Sequence, residues 1–326
     1  MRAWQVRRAG EPDRALDRAE VEPPRPAAGQ LRIRVRAAAL GLPDLLMCRG
    51  SYPLTPALPF TPGQEAVGEV VEAGEGARVP VGARVMAVAA FHFRYGSLAE
   101  ECLALDDFAL AVPEGMSNAE AAGFVIPFHT AWLGLLRRGA LRSGETLVVL
   151  GAAGGTGSAA LQLGKSIGAR VIAVARGADK IEFCRSLGAD ATVDYRAGDL
   201  AAGLREATGG RGADVVYDPV GGEAFEAASR CMAPEGRMLL IGFASGRFGA
   251  PSPARMVTGN YSVVGVLPSF ESRAAREAAH EDLLARWRRR EIRVPVHRVY
   301  AFEDVPLALA DLAAGHVRGK AVIAAP

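Results

Sequence analysis

The chain has 326 residues, of which 50% are hydrophobic and 23% charged, and its formal net charge is +2. This length exceeds what one hydrophobic core usually serves, so we expect two domains. The arginines are scattered rather than clustered, which argues against a nucleic-acid-binding or membrane-surface protein.

Targeting and redox signals are weak. The N-terminus is charged from its second residue and lacks an apolar signal core, so we expect a cytoplasmic protein. The most apolar long run, residues 119–136, contains Glu120, Pro127 and His129, which favours a buried helix over a membrane span. The four cysteines have no C-x-x-C spacing, so structural zinc is not expected, and they are interpreted as free, mostly buried thiols.

The first third of the chain predicts a small, curved β-domain. Residues 31–37 alternate apolar and arginine side chains, which is typical of a half-exposed antiparallel strand. Further short strands separated by glycine turns are predicted over 66–72, 84–89 and 97–105. Between the first two strands lies a proline-rich loop, residues 41–65, with one short helix over 44–48. A long ordered loop in a compact domain is usually functional.

A change of pattern follows. The sequence Ser117-Asn-Ala-Glu120 is a capping box, so a helix is predicted from about Asn118. Pro127 is expected to break or kink it, with a second helical piece running to about Arg138.

From Thr146 short apolar strands alternate with helices. The predicted strands are 146–150, 170–175, 191–194, 213–217 and 236–242, and the predicted helices are 155–168, 179–187, 200–207 and 222–232. This rhythm predicts an α/β fold with a doubly wound parallel sheet, whose ligand crevice lies at the carboxyl ends of the strands.

The first turn of this sheet suits a phosphate. The strand ending at Leu150 is followed by Gly151-Ala-Ala-Gly-Gly-Thr-Gly157 and then by a helical segment. Glycines let a diphosphate approach the unpaired N–H groups of a helix N-terminus. Ala152 takes the first position of the G-x-G-x-x-G motif, and on its own the motif also fits an ordinary strand–helix turn.

The residues that follow the strand predicted over 170–175 indicate which cofactor binds. An Asp or Glu there would bind the ribose 2′-OH of NAD, but the region contains Arg176 and Lys180, which favour a 2′-phosphate and therefore NADPH. Asp179 weakly favours NAD instead, and Arg176 and Lys180 could both simply face solvent.

The C-terminal part of the chain no longer alternates strands and helices in the same regular way. Strands are predicted over 261–266, 294–300 and 319–324, with helices over 272–290 and 305–313. We expect it to return partly to the first domain and to close a cleft between the two. The predicted domains are 1–120 with 267–326, and 121–266.

Several motifs, in this order, carry a family resemblance. They are Cys48-Arg-Gly-Ser-Tyr52, Leu58-Pro-Phe-Thr-Pro-Gly-Gln-Glu65, Gly68-Glu-Val-Val71, Gly82-Ala-Arg-Val85, Ala152-Ala-Gly-Gly-Thr-Gly157, Asp218-Pro-Val-Gly-Gly222, Gly242-Phe-Ala-Ser-Gly246 and Gly319-Lys-Ala-Val322. The chain resembles the zinc-free NADPH:quinone oxidoreductases (zeta-crystallin-like) of the medium-chain dehydrogenase/reductase superfamily. The resemblance implies a GroES-like domain, a Rossmann domain, NADPH as cofactor and a homodimer joined through the strand Tyr261–Val266.

The resemblance also bears on zinc. Zinc-containing relatives carry a Cys in the loop near Asp44, a His-Glu pair where this chain has Gln64-Glu65, and a four-Cys lobe that is missing here. No metal is therefore expected, and hydride transfer would proceed without a Lewis acid.

The resemblance implies site residues one by one. Those matching cofactor-binding positions are Gly154, Gly155, Thr156, Gly157, Lys180, Tyr195, Thr130, Phe243, Val266 and Lys320, with Arg176 as a local addition. Tyr52 matches a tyrosine that borders the substrate pocket, where it is either a proton donor or a wall. Leu42 and His92 are further pocket candidates, although the aromatic segment around His92 could equally anchor a loop. Gly41 stands where the family often has Asn, which favours an apolar, planar substrate.

Four functions remain open from the sequence, of which a zinc alcohol dehydrogenase is the last and would require a bound zinc ion. The first is an NADPH-dependent reductase of quinones or similar conjugated carbonyl acceptors. The second is an enoyl-thioester or alkenal double-bond reductase, and the third is a non-catalytic NADPH-binding protein. No nucleic-acid or membrane partner is expected.

Overall fold

The structure is a computed structural model that describes residues 1–325. These residues form two units. Unit 1 comprises Met1–Ile126 and the segment from Val294 onwards, and unit 2 comprises Pro127–Arg293. Residues 267–293, which the predicted domains assign to the first domain, thus belong to unit 2.

Helix contacts explain this assignment. The tail helix over residues 273–288 packs within unit 2: the indole Nε1 of Trp132 donates to Asp282 Oδ2 at 2.9 Å, and His129 bonds to His280. The return to unit 1 therefore comes only after this helix.

Strands predominate in the N-terminal part of the chain. Up to Ala122 the elements, in chain order, are β1 (Arg2–Val6), α1 (Pro12–Ala15), β2 (Leu16–Glu20), β3 (Gln30–Leu40), α2 (Leu42–Cys48), β4 (Glu65–Ala73), β5 (Arg84–Ala89), β6 (Glu101–Ala111) and α3 (Asn118–Ala122). A single 3₁₀ turn, Phe91–Phe93, lies between β5 and β6.

The elements of the middle and end of the chain follow. They are α4 (Val125–Trp132), β7 (Thr146–Val149), α5 (Gly155–Ile167), β8 (Arg170–Ala175), α6 (Ala178–Ser186), β9 (Ala191–Asp194), α7 (Leu200–Ala207), β10 (Ala213–Asp218), α8 (Gly222–Ser229), β11 (Met232–Leu240), α9 (Pro253–Gly259), β12 (Ser262–Gly265), α10 (Arg273–Arg288), β13 (Val296–Tyr300), α11 (Val305–Ala313) and β14 (Lys320–Ala324). Further 3₁₀ turns span Pro268–Phe270 and Phe302–Asp304.

Unit 1 is built on a closed β-sheet. Its six strands run in the order β13-β14-β3-β4-β5-β6, and β6 pairs back with β3. Strand β3 has the predicted alternation: Leu31, Ile33 and Val35 are buried, whereas Arg34 and Arg36 are exposed. The apolar faces of these strands form one core with α2 and α11. The GroES-like β-domain is thereby confirmed.

Unit 2 is a parallel, doubly wound sheet with helices between its strands. The strand order is β12-β11-β10-β7-β8-β9, and every neighbouring pair is parallel. The chain moves outward from β7 in one direction and from β10 in the other, so the order reverses between these two strands. In such sheets ligands bind at the carboxyl ends of the strands beside the reversal. The Rossmann prediction is confirmed.

The helix break near Pro127 lies earlier than predicted. Helix α3 ends at Ala122, α4 begins at Val125, and Pro127 sits in the first turn of α4. Proline is tolerated there because the first N–H groups of a helix have no intrahelical acceptor. Past Trp132 the helix continues as a π-helical stretch over Leu133–Arg138.

Candidate cofactor and substrate sites

The N-terminus of α5 forms a cradle for a phosphate group. Helix α5 follows the buried strand β7, and its N-cap, Gly154, has no side chain to satisfy the first N–H groups. A Cβ at Gly157 would lie 2.3 Å from the carbonyl oxygen of Gly151, so the helix packs on the turn more closely than any other residue would allow. A Cβ at Gly154 would meet only that same oxygen, at 3.4 Å, and the space beyond it is open.

This geometry fits a dinucleotide diphosphate. The predicted residues Gly154, Gly155, Thr156 and Gly157 all lie in the cap and first turn of α5. The unpaired N–H groups and the positive end of the helix dipole favour an anion at this point.

The ends of β8 and β9 bring the predicted 2′-phosphate residues to adjacent positions. Ala175 lies opposite Asp194 in the parallel register, and the Tyr195 N–H donates to Ala175 O at 3.2 Å. Arg176 follows β8 and is exposed, as is Tyr195 after β9. Lys180 lies in the first turn of α6.

Asp194 is a residue at this edge that the sequence analysis did not single out. Its Oδ2 accepts the Gly177 N–H at 3.1 Å and its Oδ1 accepts the Arg196 N–H at 3.0 Å. These hydrogen bonds lower the pKa of the carboxyl group. Asp194 therefore joins the loop after β8 to the loop after β9 through backbone contacts.

The residues expected on the nicotinamide side lie on different elements of unit 2. Val266 follows β12, is buried, and donates its N–H to Leu240 O at 3.0 Å. Phe243 follows the neighbouring strand β11, and its ring centroid lies 4.6 Å from that of Phe248. Thr130 is buried on α4.

The predicted pocket residues of unit 1 share one aromatic cluster. The Tyr52 ring lies 6.4 Å from that of Phe91, and the Phe91 ring lies 5.4 Å from His92. Leu42 and Tyr52 pack, partly buried, against the core that contains Phe91. Burial lowers the pKa of His92, so its imidazole is neutral at pH 7.

A buried charged cluster lies beside this loop. Asp44, Glu65 and Lys320 are each 5% exposed or less. Lys320 Nζ forms an ion pair with Glu65 Oε2, and Glu65 Oε1 accepts the Ile126 N–H at 3.2 Å. Burial raises the pKa of Glu65, and the Lys320 ammonium opposes that shift. Lys320, expected to lie near the cofactor, thus already has a partner for its charge.

The side chains around Glu65 bear on whether a zinc ion could bind. Across residues 1–325, no group of three or more His, Cys, Asp or Glu side chains is arranged to hold a metal ion. Gln64 is buried beside Glu65, and none of the described residues lies within hydrogen-bonding distance of its Nε2. The Lys320 ammonium next to Glu65 would also repel a cation.

Unit 2 contains a buried histidine pair. His129 Nε2 lies 3.2 Å from His280 Nδ1, and the rings are stacked. His129 is thus a buried histidine with a hydrogen-bond partner inside unit 2. All four cysteines are free and buried, as predicted. No helix within residues 1–325 is both long and apolar enough to cross a bilayer.

Two family models match this chain. "Alcohol dehydrogenase GroES-like domain" matches residues 27–123, and "Zinc-binding dehydrogenase" matches residues 155–281. The first falls within unit 1 and the second within unit 2.

Individual relatives agree with these models. Quinone oxidoreductase-like protein 2 of Rattus norvegicus is 34% identical over 279 residues, which cover 81% of this chain and 79% of that protein. The homolog of this protein in Nematostella vectensis is 35% identical over 239 residues, and the match spans 64% of its length. The solved quinone oxidoreductase of Thermus thermophilus, whose complex with NADPH is also solved, has a TM-score of 0.83 at 32% identity, covering 99% of this chain and 100% of that one.

The predicted resemblance is confirmed by these matches and by the two folds. The chain belongs to the quinone oxidoreductase-like oxidoreductases of the medium-chain dehydrogenase/reductase superfamily.

Proposed function

We propose that this protein is a zinc-independent, NADPH-dependent oxidoreductase that transfers a hydride to a quinone or a similar conjugated carbonyl acceptor. The observation that carries the cofactor assignment is the position of Arg176 and Lys180, which follow β8 at the same sheet edge as the uncapped N-terminus of α5. The NADPH complex of the similar Thermus thermophilus enzyme supports it.

When bound, NADPH supplies the hydride. The first turn of α5 would bind its diphosphate, and Arg176, Lys180 and Tyr195 would bind its 2′-phosphate. Thr130, Phe243 and Val266 would line the nicotinamide side. Lys320, for which the resemblance implies a position near the cofactor, forms an ion pair with Glu65.

Zinc independence rests on the available ligands. Gly41 to Asp44 offer no Cys, and Gln64 stands where a His would be needed. Without a Lewis acid the acceptor itself has to delocalise the negative charge that it gains. A quinone does so, which makes it the acceptor class that this chain's residues support best.

Tyr52 is proposed as a wall of the acceptor pocket rather than a proton donor, because its ring packs on the aromatic cluster of Phe91. Tyr52→Phe keeps the ring and removes only the hydroxyl. We expect turnover with a quinone to stay within about twofold of the wild type, since a lost general acid costs about 10²-fold or more. Loss of that size in a steady-state assay would instead assign Tyr52 as the acid.

The decisive experiment measures oxidation of NADPH and of NADH with a benzoquinone or naphthoquinone acceptor, in the presence of a metal chelator. Chelator-resistant turnover with a preference for NADPH is the expected result. Loss of turnover on chelation, restored by zinc, would overturn the metal-free mechanism. Equal use of NADH would overturn the proposed 2′-phosphate site.

The same preparation separates the alternatives. Turnover of an enoyl thioester or alkenal but not of quinones would replace the proposed acceptor class. NADPH binding without turnover of any conjugated acceptor would mean that the protein binds NADPH but is not a catalyst of this reaction. We also propose a homodimer joined through β12, and the cytoplasm as the compartment, which suits four free thiols.

A further inference from the structure

A single carboxylate joins the two ends of a long loop in unit 1. Asp44 Oδ2 accepts the N–H of Gly41 at 2.8 Å, and its Oδ1 accepts the N–H of Gly63 at 3.1 Å. The side chain is only 1% exposed. The segment between the two glycines, residues 41–63, carries α2 and both Leu42 and Tyr52.

One end of this segment is fixed independently. Gly63 has a φ of +105°, and a Cβ there would lie 2.5 Å from Ser97 Oγ. Its carbonyl oxygen accepts the Ser97 N–H at 3.0 Å. Gly63 is therefore a rigid anchor, and the other end, Gly41, directly follows β3.

Phe60, near the end of the segment, is fully buried and exchanges two backbone hydrogen bonds with Val6, but the part between α2 and Phe60 has little packing. Residues 49–51, 53–54 and 57–59 are all exposed, and Tyr52 is only partly buried. A segment with few buried contacts depends on the hydrogen bonds at its base for a fixed conformation.

The two bonds require a carboxylate. Asparagine has the same shape, but it has only one acceptor oxygen, and its amide would direct N–H donors at one of the two backbone N–H groups. Burial raises the pKa of Asp44 to about 6, whereas the Gly41 and Gly63 N–H donors and the Lys320 ammonium favour its ionised form. The ionised carboxylate is the form in which each oxygen can accept one of the two bonds.

We propose that Asp44 is a positioning residue for the acceptor site: by bonding to Gly41 and Gly63 it fixes the segment 41–63 and, through it, Tyr52 and Leu42. Asp44 itself is buried, so the proposed role acts through these two hydrogen bonds. The proposal rests on the proposed function only in taking Tyr52 and Leu42 as acceptor contacts.

The test compares Asp44→Asn with Asp106→Asn in the full-length protein. Asp106 is a matched control in unit 1, since its buried Oδ1 also accepts two backbone N–H groups, those of Arg78 and Val79, at 3.0 and 2.8 Å. Hydrogen exchange is followed by mass spectrometry over peptides within 41–63. In parallel, the KM for a quinone, kcat and the Kd for NADPH are measured.

For Asp44→Asn we expect exchange within 41–63 to accelerate by about tenfold or more, the loss expected for one buried hydrogen bond. The acceptor KM should rise by a similar factor while the Kd for NADPH stays within about twofold. Asp106→Asn should change neither the exchange of this segment nor the acceptor KM. Wild-type exchange in Asp44→Asn, or the same acceleration in both variants, would overturn the proposal.

A measurement on the wild type covers the case in which Asp44→Asn does not fold. The amide exchange rates of Gly41 and Gly63 are read by NMR. Because one carboxylate accepts from both N–H groups, both amides should be protected from exchange. Free exchange of either amide would contradict the proposal, whatever the acceptor. Failure of the wild type to reduce any quinone would instead contradict the proposed function and leave the exchange result standing.

Discussion

Arg176 carries the proposed preference for NADPH over NADH. It is exposed at the end of β8, where a guanidinium can bind a phosphate with two hydrogen bonds. For Arg176→Ala we expect the KM for NADPH to rise by about tenfold, with the KM for NADH unchanged within about twofold. Steady-state kinetics with both cofactors and one quinone measures this ratio.

The control is Arg185→Ala. Arg185 lies at the other end of α6, where it contacts Glu182 and Thr192 on the surface. Arg185→Ala should leave the KM values for NADPH and for NADH unchanged. An equal loss with NADPH and NADH in Arg176→Ala would indicate a general electrostatic effect and not a 2′-phosphate contact.

His129 makes unit 2 sensitive to acid. Burial, with smaller contributions from His280 and Arg276, lowers the pKa of His129 from 6.5 to about 3. Below pH 6.5 the unfolded chain binds a proton that the folded chain does not, so stability falls as the pH falls from 6.5 towards 3. This group alone should cost about 2 kcal/mol of unfolding free energy at pH 5, because each pKa unit corresponds to about 1.4 kcal/mol.

The variant that checks this is His129→Gln, which retains a hydrogen-bonding group but cannot titrate. Urea unfolding at pH 7 and pH 5 should show a smaller loss of stability in the variant than in the wild type. His316→Gln, which removes an exposed histidine, should lose as much stability between pH 7 and pH 5 as the wild type does. If both variants lose as much stability as the wild type, the buried pair is not what responds to acid.

At the residue scale, the sequence predicts those site residues that lie close together along the chain. The glycine turn at Gly154–Gly157 and the cations near Arg176 can be recognised from local sequence patterns, without knowledge of any tertiary contact. The bond from Lys320 to Glu65 joins positions 255 residues apart, and that of Asp44 to Gly63 spans a proline-rich loop. No periodicity links such positions, so the buried charged cluster emerges only from the fold.

The α5 element offers a matched pair of glycine substitutions. A Cβ at Gly157 would overlap the Gly151 carbonyl, so Gly157→Ala has to push the helix away from its turn. We expect a loss of about 2 kcal/mol in unfolding free energy, as in other overpacked sites, together with weaker NADPH binding. Thermal unfolding and a fluorescence titration with NADPH measure the two quantities.

Gly154→Ala should separate these effects. Its Cβ would make only an ordinary contact at 3.4 Å, and its φ of −81° suits alanine, so stability should change by less than about 0.5 kcal/mol. The methyl group would nevertheless occupy the space through which the diphosphate approaches, so the Kd for NADPH should rise by about tenfold or more. Unchanged binding in Gly154→Ala would mean that the phosphate lies elsewhere.

At the element scale, the repeating strands and helices of unit 2 are predictable because every buried strand and amphipathic helix repeats its own period. The prediction omits the N-terminal hairpin of β1 and β2. Strand β2, Leu16–Glu20, has a single partner and polar, partly exposed side chains, so it carries little hydrophobic pattern. The assignment of α10 to unit 2 likewise depends on long-range contacts such as that of Trp132 with Asp282.

At the scale of the whole molecule, the end of the chain completes the sheet of its beginning. Strand β14 lies between β13 and β3, and Ala321 pairs with Leu40. The closed sheet of unit 1 therefore has its full set of strands only after all of unit 2 has been synthesised. Asp44 and Glu65 come from the N-terminal part of the chain, and Lys320 comes from the C-terminal strand β14. The buried charged cluster therefore also forms only when both parts of the chain are present.

The open edge of the unit 2 sheet argues for a second copy of the chain. Among the described residues, strand β12 pairs only with β11, and apolar side chains five residues before and after it are highly exposed: Val257 is 81% and Phe270 86% exposed. An unpaired edge beside exposed apolar side chains favours pairing with another edge. We expect the wild type to be a dimer by size-exclusion chromatography with light scattering.

Substitutions on the two edges of this sheet test where the copies meet. Val264→Lys adds a charge to β12, and Thr192→Lys adds the same charge to β9, the strand at the opposite edge. Because a lysine on an edge strand opposes pairing, Val264→Lys should weaken the dimer by about tenfold or more, whereas Thr192→Lys should leave it intact. A dimer equally stable in both variants would place the interface away from β12. A monomeric wild type would leave the exposed side chains of Val257 and Phe270 without the partner that their exposure predicts.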